Sequence, residues 1–334
     1  MLPLLRSRIP DLPPGPVALR QFQGGASNLT FQLEIGARKL ILRRPPSGTK
    51  PKSGHDMQRE YRVLSALHGH YPCPRPLLYC DDPALIGAPF YVMEKIEGLI
   101  LRRDLPPGTR YTPEQARRLA GNLLDTQIRL HQIDYAAIGL GDLGHPQGYV
   151  ERQVRGWGER FGKARTDDVP DCEAVMAWLN ARRPHDSPRP GLIHNDYRFD
   201  NVVLDPQNRL TIIGVLDWEM CTVGDPLLDL GSSLAYWVQS DDPQPLQRLR
   251  MQPSHLPGMP SRRQIADDYQ QRTGRAIGDL DWYHVFGLFR LAVIAQQIYY
   301  RYRLGQTRNP RFQAFGVFVT VLSQVCEQII ERRG

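Results

Sequence analysis

The chain lacks most of the marks that would place it among exported, membrane-bound or metal-scaffolded proteins. Its five cysteines, Cys73, Cys80, Cys172, Cys221 and Cys326, are scattered and odd in number, and none belongs to a C-x-x-C pair. That excludes a disulfide framework, a zinc knuckle and a dithiol redox motif as organising devices, and it fits a reducing compartment. Long hydrophobic runs are missing too. The opening MLPLLRSRIP meets Pro10, Pro13 and Pro14 at once, which is not a signal-peptide pattern. The most apolar helical stretch, around residues 285–299, is interrupted by Arg290 and too short to cross a bilayer. A cytoplasmic protein without a membrane partner is expected. No internal repeat or low-complexity tract appears, so neither a solenoid nor a disordered chain is indicated.

A large excess of one charge is also missing. The net charge is +7 and the isoelectric point near 9.2, with 13 Lys and Arg against 8 Asp and Glu in residues 1–98 and only +2 left for residues 99–334. No stripe of Lys and Arg interleaved with aromatics follows from that distribution, so nucleic acid is not an expected partner; an anion-facing first part with ordinary surface charge elsewhere is. What is present is ample core material, 41% hydrophobic residues in 334, enough for two domains.

The patterning divides the chain near residue 98. VALRQFQ, NLTFQLEI and RKLILRR read as three strands joined by tight turns, residues 55–69 place Met57, Tyr61, Leu64 and Leu67 at helical spacing, and PLLYC (76–80) and APFYVME (88–94) supply two more strands. Residues 1–98 therefore predict a five-stranded antiparallel sheet with one helix, and residues 94–98 a hinge. The remainder, 99–334, predicts helices near 113–132, 147–162, 171–182, 226–239, 262–273, 281–304 and 310–332, with the proline-punctuated stretch 241–260 as a long surface loop that could serve as a lid.

One segment interrupts the helices. In GLIHNDYRFDNVVLDPQNRLTIIGVLDWE, residues 191–219, the run NVVL, the turn DPQN and LTIIGVL read as a β-hairpin that brings Asn201 and Asp217 together. A carboxylate and an amide oxygen converging on one point suit Mg²⁺, which keeps its other positions for water and phosphate. Asp196, on the loop before the hairpin, stands where it could accept a proton from an attacking hydroxyl.

His194, Asp196 and Asn201 give H-x-D-x-x-x-x-N, and Asp217 follows where kinase-like enzymes carry a second metal ligand. With IHNDYRFDNVV, VLDWE and GDPLLDL, the chain resembles the aminoglycoside phosphotransferase and choline kinase-like family, and within it the kinase-like domain found fused to, or alongside, acyl-CoA dehydrogenases. The likeness is strong over 191–232, good over 22–98 and weak after about 240. It implies an α+β, bilobal protein-kinase-like fold: an N-terminal nucleotide-binding lobe, and a helical C-terminal lobe with a catalytic loop (191–204), a metal-binding segment (215–219) and the acceptor site. It implies ATP and Mg²⁺ as cofactors, with GTP open as the nucleotide, and a small-molecule hydroxyl as acceptor. Asp196 would be the base and Arg198 a cation meeting the transferred phosphate, while His194 packs beneath the loop. Gly24, Gly25, Ser27 and Asn28 would cover the phosphates. Arg43, fixed by Glu60, would contact the α and β phosphates, and Met93, Glu94 and Ile96 would line the adenine hinge.

Departures from the family pattern sharpen the reading. Arg43 stands where the wider family has lysine; it keeps the charge and adds a planar fork. Asp217-Trp218-Glu219 replaces D-F-G and no A-P-E element follows, which favours a small acceptor over a protein gated by an activation loop. The link with dehydrogenases implies a hydroxyacyl chain or its CoA thioester as acceptor. A polycationic aminoglycoside is the weaker alternative, because the second part carries no acidic excess. A catalytically inactive nucleotide-binding scaffold is the rival from another class, with Arg43 as its support. Asp225 and Asp229 in GDPLLDL are expected to cap and anchor the helix beneath the catalytic loop.

Overall fold

The computed structural model describes residues 1–22, 28–46, 55–307 and 309–333. Near the N-terminus α1 (Leu2–Arg8) precedes β1 (Ala18–Gln21), β2 (Leu29–Ile35) and β3 (Arg38–Arg44); α2 (Met57–Leu67), β4 (Pro76–Cys80) and β5 (Phe90–Glu94) follow. The sheet order β1-β2-β3-β5-β4 is antiparallel throughout. Period-two alternation sorts its two faces. Leu33, Ile35, Leu40, Leu42, Leu78, Phe90 and Val92 point to one side, where Leu5 and Ile9 of the α1 segment close the core. The sequence pattern gives no sign of α1, whose packing on the sheet supplies what its short length cannot. On the opposite side α2, N-capped by Asp56 through Arg59 N at 2.9 Å, buries Val63, Leu64 and Leu67.

The rest of the chain carries α3 (Pro113–Gln132), α4 (Tyr149–Ala164), α5 (Glu173–Ala181), β6 (Gly191–Ile193), β7 (Val202–Leu204), β8 (Ile212–Val215), β9 (Thr222–Gly224), α6 (Pro226–Ala235), α7 (Gln244–Arg248), α8 (Arg262–Thr273), α9 (Leu280–Arg303) and α10 (Phe315–Glu331). The expected hairpin is β7–β8, with Val202 opposite Val215. A second two-stranded pairing, β6 with β9, is too short to register in the alternation. The stretch 241–260 is not bare loop, since it holds α7, and Gln252 and Ser254 are buried and donate to the carbonyls of Tyr236 and Val238. The buried centre of the helices is α9. Its Gly287 crosses Gly231 of α6 so closely that a Cβ on Gly287 would stand 2.3 Å from the Gly231 carbonyl oxygen. Among the described residues one helical stretch, Pro310–Glu331, is long and apolar enough by length and composition to cross a membrane, where the sequence pattern points to 285–299 as the most apolar helix. Pro310–Glu331 packs along α9.

By compactness the chain divides into one unit of Met1–Ile100, Ala136–Gly141 and Asn201–Cys221, and another of Leu101–Tyr135, Asp142–Asp200 and Thr222–Gly334. This differs from a single cut near residue 98. The β7–β8 hairpin joins the first unit because Leu99 and Leu204 exchange backbone hydrogen bonds at 2.9 and 2.8 Å and Val215 N donates to Pro72 O at 2.8 Å. Gly98 permits that approach, for a Cβ there would lie 2.3 Å from Leu204 O and 2.5 Å from Val203 Cγ1. Gly98→Ala is therefore expected to destabilise the protein by about 1–3 kcal/mol, measured by denaturant unfolding; an unchanged midpoint would contradict this crossing.

Candidate active site

In the first unit the site begins with a buried guanidinium. Arg43 lies near the end of β3, opposite Tyr91 in the register, on the face covered by α2, and is 7% exposed; Glu60, on α2, is 2% exposed. Arg43 Nη1 donates to Glu60 Oε1 at 2.5 Å, and its Nη2 donates to Asp217 Oδ1 at 2.9 Å and Glu219 Oε2 at 3.3 Å. Burial opposes the charge, but Glu60, the Tyr91 phenol, Asp217 and Glu219 together hold Arg43 protonated well above its ordinary range. Burial pushes Glu60 up from the usual carboxylate range, against the pull of Arg43. Asn28, 3% exposed, extends the cluster: its Nδ2 donates to Glu219 Oε2 at 2.8 Å, and its Oδ1 lies 2.7 Å from His55 Nδ1.

The hairpin sets the oxygen donors. Val202 pairs with Val215, and Leu216 N donates to Asn201 O at 2.8 Å, so Asn201 and Asp217 sit side by side at one end of the ladder. Asp217 adopts a left-handed conformation, φ 68°, which costs a non-glycine residue about 1 kcal/mol or more. Trp218 holds it there: the indole is 1% exposed, donates to Val215 O at 2.8 Å, and meets the Tyr71 ring edge-on at 5.6 Å. Hard oxygen donors of this kind fit Mg²⁺. Among the described residues no group of three or more His, Cys, Asp or Glu could hold a metal alone, so phosphate oxygens would have to complete the set.

The hinge residues are placed unevenly. Met93 is buried. Glu94 turns its carboxylate to Arg38 at 3.4 Å and Arg75 at 3.9 Å, a surface pairing. Ile96 packs over Gly214 of β8, whose added Cβ would meet Ile96 Cδ1 at 2.4 Å. Gly24, Gly25 and Ser27 lie outside the described residues.

In the second unit the loop after β6 carries Asp196 and Arg198. His194 is fully buried, packs edge-on against Tyr197, and accepts from Asp196 N at 3.2 Å through Nδ1, so it lies packed beneath the loop. Asn195 takes φ 66°, and its two backbone groups are fastened: N donates to Asp229 Oδ1 at 2.5 Å, and O accepts from Nη2 of buried Arg290. Asp229, itself fully buried, accepts on Oδ2 from Gln127 Nε2 at 3.1 Å and lies 2.9 Å from His131 Nε2. Burial would raise this carboxyl, but His131 and His194 hold it down at about 2. Asp225 caps α6 through Leu227 N at 2.8 Å.

Arg198 Nε is 3.6 Å from Asp196 Oδ2, and its Nη2 is 3.6 Å from Asp200 Oδ2. Two neighbours of this loop carry no sequence signal. The ring of Tyr236, just past α6, lies 4.6 Å beneath the Arg198 guanidinium, and buried Gln252 accepts from Phe199 N at 3.0 Å. Only the fold brings them to the loop.

The model of the phosphotransferase enzyme family matches residues 18–265. The chain belongs to that family. Among curated relatives it is 33% identical over 323 residues to acyl-CoA dehydrogenase family member 10 of Mus musculus, covering 96% of this chain and 30% of that one. It is 32% identical to acyl-CoA dehydrogenase family member 11 of Homo sapiens, covering 95% and 40%. The chain thus spans well under half the length of those relatives. A crystal structure from Ralstonia eutropha, provisionally named an aminoglycoside phosphotransferase, superposes with a TM-score of 0.82 at 30% identity over 99% of this chain and 97% of that one. Aminoglycoside phosphotransferase APH(4)-Ia in complex with ADP and hygromycin B shares the fold at TM-score 0.62 and 16% identity, over 98% and 96% of the two chains. The fold is therefore the kinase-like one of this family.

Two outcomes follow. Arg43→Met leaves Glu60 buried without its cation and should cost about 3–5 kcal/mol, whereas Asp217→Asn, at a carboxylate 32% exposed in a conformation asparagine tolerates, should cost under about 1 kcal/mol; denaturant unfolding of both measures the contrast. For Asp229 the folded pKa is depressed, so its contribution is complete above about pH 4 and is lost as pH falls toward 2. Acid unfolding should be shallower in Asp229→Asn, and a profile identical to wild type would refute the role given to that carboxylate.

Proposed function

We propose that the chain is an ATP- and Mg²⁺-dependent phosphotransferase that moves the γ-phosphoryl group to the hydroxyl of a small molecule. The observation that carries this reading is the Arg43–Glu60 pair with Asp217 in reach of the same guanidinium, within a chain of the phosphotransferase family. Arg43 would bind the α and β phosphates through its fork, and Glu60 would keep it aimed. Asn201 and Asp217 would hold Mg²⁺. Bound there, the ion would neutralise charge on the phosphate oxygens. Met93 and Ile96 would border the base of the nucleotide. Asp196 belongs to the other compact unit, and its part rests on the H-x-D-x-x-x-x-N motif. It would orient the acceptor hydroxyl and take its proton as the new O–P bond forms and the bond from the γ-phosphorus to the β–γ bridging oxygen breaks, releasing ADP. Arg198 would balance the charge spread over the moving phosphoryl group.

For the acceptor we favour a hydroxyacyl chain, free or as its CoA thioester. Support comes from the relatives, which bear acyl-CoA dehydrogenase names, and from the absence of the acidic excess a polycationic aminoglycoside would need. The same names support a functional association with an acyl-CoA dehydrogenase, and the scattered free thiols suit a cytoplasmic setting. A second reading, a nucleotide-binding scaffold without turnover, is favoured by arginine in place of the family lysine at position 43.

The test is nucleotide consumption with Mg²⁺ and ATP or GTP against hydroxyacyl-CoAs, hydroxy acids, sugars, choline-like alcohols and aminoglycosides. Turnover with one acceptor class is expected, with kcat lowered by about 10²–10⁴ in Asp196→Ala and nucleotide binding retained. Equal turnover in the variant would remove the role of Asp196. Binding without turnover across the panel would favour the scaffold.

A further inference from the structure

We propose that an apolar pocket between the end of α6, α7, α9 and α10 takes the methyl end of the acceptor's acyl chain, so that its wall residues set which chain length is phosphorylated. The choice of acceptor rests on the function proposed above; binding of a hydrocarbon chain in the pocket does not. The pocket holds about 300 Å³ of free space, part of it open to solvent. Its floor is made by Ala235, Val238, Leu246 and Leu322, all buried. Its rim is made by half-buried Leu249, Leu291 and Phe318 and by exposed Met251. Among the described residues no charged side chain lines it. A sugar or a polycation would leave its polar groups without partners there, whereas a hydrocarbon chain gains by leaving water.

Position ties the pocket to the chemistry. Tyr236 and Met251 line it, and both meet Arg198: the Tyr236 ring lies 4.6 Å from Arg198 Cζ, and Met251 Sδ accepts from Arg198 Nη1 at 3.7 Å. Through Nε the same guanidinium stands 3.6 Å from the Asp196 carboxylate. One guanidinium therefore separates the base from the mouth of the pocket, and every residue concerned belongs to the helical unit. A hydroxyl presented to Asp196 leaves the carbons beyond it a short way from the rim, while the polar carboxyl or thioester end stays outside. A second cavity beside Arg198, between α3, α6 and α8, is lined only by residues from Ala120 to Ile265, inside the span 18–265 that the family model matches. It belongs to the frame the family shares. The apolar pocket instead draws Leu291, Phe318 and Leu322 from beyond that span, where a wall can differ with the substrate while the fold stays the same. The rim is also braced, since Phe318 stacks on Phe315 at 5.3 Å and Gln252, next to Met251, donates to Tyr236 O at 3.1 Å; a preformed rim lowers the ordering cost of binding.

The experiment measures binding by calorimetry, and turnover, in the full chain with straight-chain hydroxyacyl-CoAs whose tails beyond the hydroxyl lengthen from about two to about ten carbons. Each tail carbon that enters the pocket should tighten binding roughly three- to fourfold, up to the length that fills it, with kcat/KM in the same order. Leu249→Trp fills the mouth from a half-buried position and should erase that gain for the longer tails. Phe318→Ala opens the wall and should move the optimum to longer tails, so that a fold lost in one variant leaves the other to decide. Location is read separately by carbon-13 labelling of methionine methyls: the Met251 resonance, assigned by its loss in Met251→Leu, should shift with a long-tailed ester and not with CoA alone. Affinity independent of tail length, a length dependence unaltered in both variants, or a stationary Met251 methyl overturns the proposal. Turnover confined to acceptors without an apolar tail also overturns it and leaves the phosphotransferase reading intact. Tail-dependent binding that the variants alter, without turnover of any ester, supports the pocket and defeats the proposed function instead.

Discussion

The structure depends most on one buried charge. A guanidinium held out of water is strongly destabilising unless every direction it points finds an acceptor. Arg43 meets most of that demand, its two terminal nitrogens finding a carboxylate from a helix, Glu60, and two from the segment after a hairpin, Asp217 and Glu219, while its Nε stays buried without an acceptor. Sheet, helix and hairpin must therefore fold together, which is why residues 201–221 belong to the same compact unit as the first hundred. Three carboxylates against one cation leave local negative charge. That is a poor arrangement for a purely structural cluster and a suitable one for a divalent ion brought with nucleotide phosphates.

The helical unit answers a different problem with similar means. Its loop carries a non-glycine residue with positive φ, Asn195, and such a loop keeps one shape only if its backbone is overdetermined. Asp229 receives Asn195 N, and Arg290 binds Asn195 O. Asp229 can stay ionised in full burial because Gln127 and His131 meet its other oxygen. Asp217 in the first unit is held in its left-handed conformation by Trp218 in the same manner. Strain is thus stored at Asn195, next to Asp196, and at Asp217 itself.

Much of this was legible in the sequence because the signals were local. The five strands and α2 follow from alternation and spacing, and α3 and α8 were read at their observed bounds because a Thr112 capping box with Pro113, and a Ser261 capping box, mark their starts. The hairpin around DPQN was equally plain, and with it the adjacency of Asn201 and Asp217. What escaped was long-range or short. The seven-residue α1 is stabilised by a sheet it does not predict, and β6 and β9 have three residues each. Tyr236 and Gln252 look like ordinary residues until the end of α6 and the 249–254 stretch are brought against the catalytic loop. The stretch 241–260 reads as lid-like from its prolines, yet its buried Gln252 and Ser254 make it part of the wall.

The central claim is that a phosphoryl group leaves the nucleotide for a carbon-bound oxygen, and phosphorus-31 spectroscopy of ATP, Mg²⁺, the full chain and the acceptor panel observes this directly. The account predicts a new phosphomonoester resonance growing in step with ADP for one acceptor class. Growth of inorganic phosphate alone, or an unchanged ATP spectrum with nucleotide demonstrably bound, would contradict it.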